Sequence, residues 1–251
     1  MSVDKISILK KLREAEAIYV LMSDCTRMPF VVCDPETYDD QILVFFSEDE
    51  ALKGGQEYLK EGDPLKIFNI ENKYMLPFYS SLFPAGVNCM WIGKGTEEEI
   101  KIQLTDLVRR PEPEPGEEPI ENPGLQITAM YFMQKVRKQK ELKITEDMEN
   151  LQEELMVHYQ NGTFITAISE EKKMPVLNKD DGQVLLPLFT DIQEFLKFQN
   201  NDRDKQYTMG MLEGTKIPEA MGEGMTGVVV NPFGIDLQLN ISRPQKENAA
   251  E

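Results

Sequence analysis

The chain is poor in the side chains that most often carry enzyme chemistry: it has one histidine, His158, and three cysteines, Cys25, Cys33 and Cys89. A Ser-His-Asp or Cys-His arrangement would have to use His158, and no strained nucleophile turn of the G-x-S-x-G kind is present. His158 falls three residues after Leu155 and beside Tyr159 in an expected helix, so packing at a helix surface accounts for it. The cysteines form no C-x-x-C and lack the spacing of zinc ligands. Their odd number points to reduced, mostly buried thiols in a reducing compartment, with a Cys25–Cys33 bridge across a hairpin as the alternative. Long apolar runs are also missing: none approaches the ~18 residues a membrane span needs. Residues 2–16 are studded with charge, from Asp4 and Lys5 to Glu14 and Glu16, and Ala17–Met22 is too short for a signal-peptide core. These absences lead to the expectation of a cytoplasmic chain with no membrane segment. Basic residues are the scarcer charge, 27 against 44 acidic, for a net −17. Such a surface repels phosphate backbones and anionic lipid, so neither nucleic acid nor membrane is expected as a partner. The one dense basic run, Lys135–Lys140, reads as a solvated helix face.

What is present is enough apolar material, 41% of 251 residues, to fill two ordinary cores. The chain also repeats itself. Ile18–Leu21, then Arg27-Met28-Pro29-Phe30-Val31, then Gln41–Phe46 followed by Ser47-Glu48-Asp49-Glu50 has a counterpart further on. There Phe164–Ala167 is followed by Lys173-Met174-Pro175-Val176-Leu177, then Gln183–Phe189 and Thr190-Asp191-Ile192-Gln193. The shared order is an apolar strand, a basic-Met-Pro strand start, an acidic turn, an apolar strand, and Phe before a helix cap. Ser47-x-x-Glu50 and Thr190-x-x-Gln193 both spell a capping box, in which the hydroxyl accepts from one backbone N–H and the Glu or Gln returns to the cap's own N–H. Helices are therefore expected over roughly 48–60 and 191–199. Their inner faces are expected to carry Ala51, Leu52 and Leu59 in the first copy and Ile192, Phe195 and Leu196 in the second.

An amphipathic helix precedes each strand set, over 3–14 and over 146–160, the latter with Thr145 as its cap. Strand, short helix and strand then follow in each copy, at 65–70, 75–82 and 87–92 and at 207–212, 217–221 and 227–230. A last alternating strand is expected at 235–241. The predicted fold is α+β: two tandem copies of a small domain, each a mixed or antiparallel sheet backed by helices. The domains expected are 1–108, a linker over 109–124, 125–242, and a disordered tail over 243–251. The linker reading rests on five prolines and five glutamates in Arg109–Gly124. Leu125–Leu142 fits either a helix or an opening strand, with helix preferred.

No constellation for catalysis emerges, and no cofactor is expected. Acidic clusters such as Glu97-Glu98-Glu99 read as solvated surface, and Asp180-Asp181-Gly182 lacks the alternating oxygen ligands of a calcium loop, so no metal is expected. Gly222-x-Gly224-x-x-Gly227 spells a dinucleotide fingerprint but precedes a strand, where the fingerprint requires a strand before and a helix after. The 14 methionines read as core filling.

Met174-Pro175-Val176, Leu186-Pro187-Leu188-Phe189-Thr190-Asp191-Ile192-Gln193-Glu194-Phe195 and Gly227-Val228-Val229-Val230-Asn231-Pro232-Phe233-Gly234 resemble the SseB family, specifically its N-terminal domain. The resemblance covers about 145–242. The first copy shares the Met-Pro strand and the Phe-Ser-Glu-Asp-Glu junction but has Trp91-Ile92-Gly93-Lys94-Gly95 where Asn-Pro would fall. The resemblance implies α+β domains in a bacterial family named for an effect on serine sensitivity, with binding or regulation in place of an established enzyme mechanism. It makes Met174, Pro175, Asn231, Pro232, Phe233 and Gly234 the candidate binding residues. Asn231–Gly234 also has a sufficient structural explanation as a turn. The expected function is a non-catalytic protein-binding or regulatory module, with a protein partner and an oligomeric state left open. The alternative is an enzyme or small-molecule sensor using a pocket between the copies.

Overall fold

The computed structural model describes residues 4–201 and 203–243. The first half opens with α1 (Lys5–Glu14), whose first-turn N–H groups on Ile6 and Ser7 donate to the Asp4 carboxylate at 3.1 and 3.3 Å. Strands β1 (Ala17–Ser23), β2 (Met28–Pro29), β3 (Val31–Cys33) and β4 (Asp40–Phe45) follow, then α2 (Glu48–Lys60), β5 (Leu65–Glu71) and α3 (Asn72–Ser81). β6 (Cys89–Ile92), β7 (Ile100–Gln103) and the single turn α4 (Leu104–Leu107) complete it. β1 pairs with β5 on one side and with β4 on the other, giving the order β5-β1-β4-β6-β7, with β2 and β3 extending the β1 and β4 edges. Only β4–β6 is parallel in this sheet, Gln41 facing Cys89 through Val44 facing Ile92. β4 lies mid-sheet, and Gln41–Phe45 are all buried, as a strand covered on both faces requires.

The second half contains α5 (Pro123–Arg137), α6 (Glu146–Asn161), β8 (Thr163–Ser169), β9 (Leu177–Asn178), β10 (Val184–Phe189), α7 (Ile192–Asn201) and β11 (Tyr207–Glu213). A single tight turn, Gly214–Lys216, leads into α8 (Ile217–Ala220), β12 (Gly227–Val230) and β13 (Leu237–Leu239). Its sheet runs β11-β8-β10-β12-β13, again with one parallel pair, β10–β12. Along these five strands the order is that of the first sheet, and β9 pairs with β10 as β3 does with β4, while β2 has no counterpart among the described residues. The fold is α+β, two tandem copies of one mixed sheet backed by helices.

The register makes the copies comparable residue by residue: Phe45 corresponds to Phe189, and Gly93 to Asn231. The inner faces of α2 and α7 differ from the expectation. Ala51 and Gly55 are buried while Leu52 and Leu59 are exposed, and Phe195 and Phe198 are buried while Ile192 and Leu196 are exposed. The reason is close approach. A Cβ on Gly54 would lie 2.4 Å from the Phe45 ring, and one on Gly55 3.2 Å from Leu21, so the glycine pair lets α2 settle on its sheet. In the second copy Phe198 stands where Gly54 does, and its ring lies 5.1 Å from that of Phe189. Phe195 adds an edge-on contact to Phe189 at 5.6 Å.

By contacts the chain divides into two compact units, one of residues up to Glu118 together with Pro123–Glu154, the other of Pro119–Asn122 together with the residues from Leu155 on. Residues 125–142, read from sequence as the start of the second domain, thus fall wholly in the unit of the first sheet, and Pro123–Arg137 are helix α5. Arg109–Pro119 is exposed and has neither helix nor strand. The tail expected over 243–251 lies, beyond Arg243, outside the described residues. All three cysteines are free thiols. Among the described residues no helix is long and apolar enough to cross a membrane.

Candidate functional site

The turn after β12 is built on a left-handed residue. Asn231 has φ +51° and its counterpart Gly93 has φ +59°. Both make the same bonds: Asn231 N–H donates to Leu188 O and Gly93 N–H to Val44 O, each at 2.8 Å. Gly234 N–H and Thr96 N–H then close the turn on Asn231 O and Gly93 O, each at 2.9 Å. Glycine adopts this backbone freely, and asparagine is the side-chain-bearing residue that tolerates it best.

The asparagine adds what glycine cannot. Its Oδ1 accepts from Thr190 N–H at 3.0 Å, and its Nδ2 donates to Thr190 Oγ1 at 2.8 Å. Thr190 Oγ1 in turn donates to Asp191 Oδ2 at 2.8 Å, and Asn122 Nδ2 donates to Thr190 O at 3.0 Å. All four residues are buried. The helix cap also falls one residue later than the sequence pattern indicates. Asp191 Oδ1, not the Thr190 hydroxyl, accepts from Gln193 N–H at 2.8 Å and Glu194 N–H at 3.1 Å. Gln193 thus contributes its backbone N–H to the cap. In the first copy Ser47 Oγ accepts from Glu50 N–H at 3.3 Å as expected, but the Glu50 carboxylate reaches Phe46 N–H, at 3.2 Å, one residue before the cap.

Glu194 corresponds to Glu50, but its donor has been taken. The N–H equivalent to that of Phe46 belongs to Thr190, which Asn231 holds. Glu194 is 4% exposed; Oε1 accepts from Lys197 Nζ at 2.5 Å, and Oε2 has no hydrogen-bond partner among the described residues. That oxygen lies against Gly234, where a Cβ would stand 2.5 Å away. Burial raises the Glu194 carboxyl above its ordinary value, and Lys197 opposes the rise. Of the other predicted residues, Pro232 is half-buried and Phe233 places its ring 6.0 Å from that of Phe198. Met174 and Pro175 are half-buried in the irregular run before β9. The structure therefore gathers Asn231 and Gly234 around the start of α7 in a closed cluster that fixes the turn.

Elsewhere, in the first unit, a groove of about 660 Å³ lies beside β3, α5 and the first turns of α6. Five carboxylates line it, Asp40, Glu61, Asp63, Asp147 and Glu154, against two lysines, Lys135 and Lys138. Lys138 pairs with Asp63 at 3.0 Å and Lys135 with Asp147 at 2.7 Å, so the basic run expected as a solvated face is partly spent on these acids. Tyr131 Oη donates to Asp40 Oδ1 at 2.8 Å. Burial raises Asp40 while that hydrogen bond opposes it, and burial together with Asp40 pushes the Tyr131 hydroxyl up. Burial, with Glu61 and Asp63, pushes Tyr58 up to about 12. Both phenols stay neutral; Tyr131 donates to Asp40, and Tyr58 Oη accepts from Lys94 Nζ at 3.1 Å.

One wall of the groove is the outer edge of β3. Gln134 of α5 acts there as a substitute strand: Val31 N–H donates to Gln134 Oε1 and Gln134 Nε2 donates to Val31 O, both at 3.0 Å. Because alternate residues of an antiparallel strand turn their polar groups to the same side, those of Cys33 point the same way as those of Val31. Gln134, Tyr131 and Asp40 were not singled out from sequence. The available signal was that Leu125–Gln134 is apolar or uncharged throughout, as a helix covered on all sides requires. Among the described residues no group of three or more His, Cys, Asp or Glu side chains is placed to hold a metal ion.

No family model and no curated protein matches the chain. Two solved structures are similar to it. Tic22 from Plasmodium falciparum has 16% identity over 86% of each chain, with a TM-score of 0.23. Anabaena Tic22, a protein of protein transport, has 11% identity over 91% of this chain and 92% of its own, with a TM-score of 0.22.

Proposed function

We propose that the protein is a non-catalytic binding module that takes a basic, extended protein segment into the groove of its first unit. The observation that carries this reading is the β3 edge. One rung is held by the Gln134 amide and the next, at Cys33, faces a cleft with more carboxylates than lysines. An extended chain laid along such an edge gains main-chain hydrogen bonds, and the tyrosines and acids beside it favour aliphatic stems ending in positive charge. The net charge of −17 speeds the encounter with a basic partner. The resemblance to the SseB family agrees with a binding or regulatory role, and we read the protein as a cytoplasmic bacterial member of that family.

The test is fluorescence anisotropy of the full chain with labelled octapeptides, Lys/Arg-rich or Asp/Glu-rich on one apolar framework. The basic set saturates, weakens as salt rises, and loses affinity when Leu151, on the groove wall, is changed to Lys. Equal binding of both sets, or saturation untouched by Leu151→Lys, overturns the proposal.

A further inference from the structure

The loop between β3 and β4 holds Tyr38 in a backbone that its side chain disfavours. Its φ is +59°, in the left-handed region, where a bulky residue is an outlier. Asp34, 2% exposed, anchors that loop. Its carboxylate accepts from Glu36 N–H at 2.9 Å, Thr37 N–H at 3.3 Å, Gln41 Nε2 at 3.0 Å and Lys101 Nζ. Its backbone closes the ends: Asp34 N–H donates to Asp39 O and Tyr38 N–H donates to Asp34 O, each at 2.9 Å. Asp39 is tied to the sheet side, its carboxylate accepting from Asn88 Nδ2 at 2.9 Å and from Gln103 Nε2 at 2.8 Å. These bonds fix the loop without help from the Tyr38 side chain. That ring is 78% exposed, lines the groove, and makes no hydrogen bond or ring contact among the described residues. A strained backbone that presents a free aromatic ring beside a groove marks a residue kept for contact.

Two residues on, Asp40 lines the same groove. It is half-buried, its Oδ1 accepts from Tyr131 Oη, and it forms no ion pair among the described residues. Lysines do reach other acids of the groove, Lys138 at Asp63 and Lys135 at Asp147. Burial raises the Asp40 carboxyl, and Glu154 and Asp39 add to the rise, so its charge sits in an unfavourable setting that a bound cation relieves. An aromatic face and an uncompensated carboxylate side by side suit a guanidinium or ammonium, which takes the ring by its face and the oxygen by a charge-assisted hydrogen bond.

We infer that Tyr38 and Asp40 form the seat for one cationic side chain of the bound segment, with Tyr38 as the residue that selects it. The inference rests on the groove as the binding site and names which of its residues read charge. Tyr131 holds the Asp40 carboxylate in place through Oδ1, which leaves Oδ2 for the ligand. A chain bonded to β3 at Cys33 passes next beside the loop that starts at Asp34, so the selected side chain lies close to that rung.

The experiment is fluorescence anisotropy of the full chain at neutral pH with a Lys/Arg-rich octapeptide and a set in which each basic residue in turn is norleucine. With wild type, one position carries the largest loss. Tyr38→Ala weakens the parent peptide about threefold to tenfold, the range of a ring–cation contact, and removes the penalty at that one position. Tyr38→Phe binds as wild type does. Asp40→Asn keeps the acceptor for Tyr131 and loses affinity at the same position. Tyr38→Gly relieves the left-handed backbone, so it melts no lower than wild type while binding as weakly as Tyr38→Ala. A loss of affinity without a loss of stability separates a contact from a structural prop. Failure of the seat differs from failure of the groove. If the basic peptides saturate and Leu151→Lys weakens them, but Tyr38→Ala leaves affinities unchanged or weakens parent and norleucine peptides alike, the groove stands and the seat is overturned. If no basic peptide saturates the wild type, the groove fails as a binding site and the seat goes with it.

Discussion

Replacing Asn231 by Gly and by Ala separates two costs that the structure superimposes at one residue. Either change removes the acceptor of Thr190 N–H and the donor to Thr190 Oγ1. Leaving a buried donor unpartnered costs about 1–3 kcal/mol. Glycine, the residue found at the equivalent position in the first copy, relieves the left-handed backbone and offsets part of that loss, so Asn231→Gly is expected to destabilise by about 1–2 kcal/mol. Alanine loses the same bonds and keeps a Cβ in the left-handed region, adding about 1 kcal/mol. Glu194 supplies a further check. It sits where Glu50 sits, and Glu50 bonds the equivalent N–H. In Asn231→Gly the Glu194 carboxylate is therefore expected to move onto Thr190 N–H, and Asn231→Gly and Glu194→Ala together cost about 0.5 kcal/mol or more beyond their sum. Urea titration at constant m gives the free energies. Amide exchange in β10 and β12 reads the second sheet directly, and fluorescence of Trp91, in β6, follows the first. If Gly and Ala are equally tolerated at 231, the left-handed turn and its side-chain bonds are not what holds this junction.

Other perturbations follow from the same geometry. Ser47→Ala and Asp191→Ala each remove a helix cap and are expected to cost about 0.5–2 kcal/mol by chemical denaturation; Thr190→Val spares the Asp191 cap and separates the two neighbours' roles. Because burial raises Glu194 above its ordinary 4.5, the stability its neutral form provides is complete below that value. It is lost as pH climbs through the native value. Glu194→Gln flattens that decline: the variant matches wild type near about pH 4 and exceeds it near about pH 8, as thermal melts over pH check. Gln134→Leu leaves Val31 N–H and C=O without their substitute strand, which costs about 1–3 kcal/mol and speeds exchange of the Val31 amide.

The repeat was legible because its signals are local: apolar strands ending in Phe and a helix cap survive in both copies, whereas Met28-Pro29 forms β2 and Met174-Pro175 lies in the irregular run before β9. Finer register was not. Matching hydroxyl to hydroxyl aligned Thr190 with Ser47, whereas the strand pairings align Asp191 with Ser47, and both residues cap. The buried faces of α2 and α7 were misread because hydrophobicity favoured Leu52 and Leu196, while the space available depended on Gly54, Gly55 and Phe198 fitting against a sheet not visible in the chain order. Asn231 and Gly234 were read from sequence as candidate binding residues or as a turn; Asn122 and Glu194 join them from 109 and 37 residues earlier in the chain. The groove was hidden for the same reason. Asp40, Tyr131 and Gln134 each look ordinary until β3 and α5 meet.

The order in which the polypeptide visits its two units bears on how it can be taken apart. Asn122 is fastened to the second sheet, its Nδ2 donating to Thr163 O at 2.8 Å, and the helix that begins one residue later caps the first. A protease nick in the exposed Pro/Glu stretch would therefore leave fragments that do not correspond to the folded units, since the downstream piece would carry away α5 and bare the polar groups of Val31. The most tempting seam for dividing the gene is thus one that would yield a first half with an unsheltered strand, prone to stick to its neighbours.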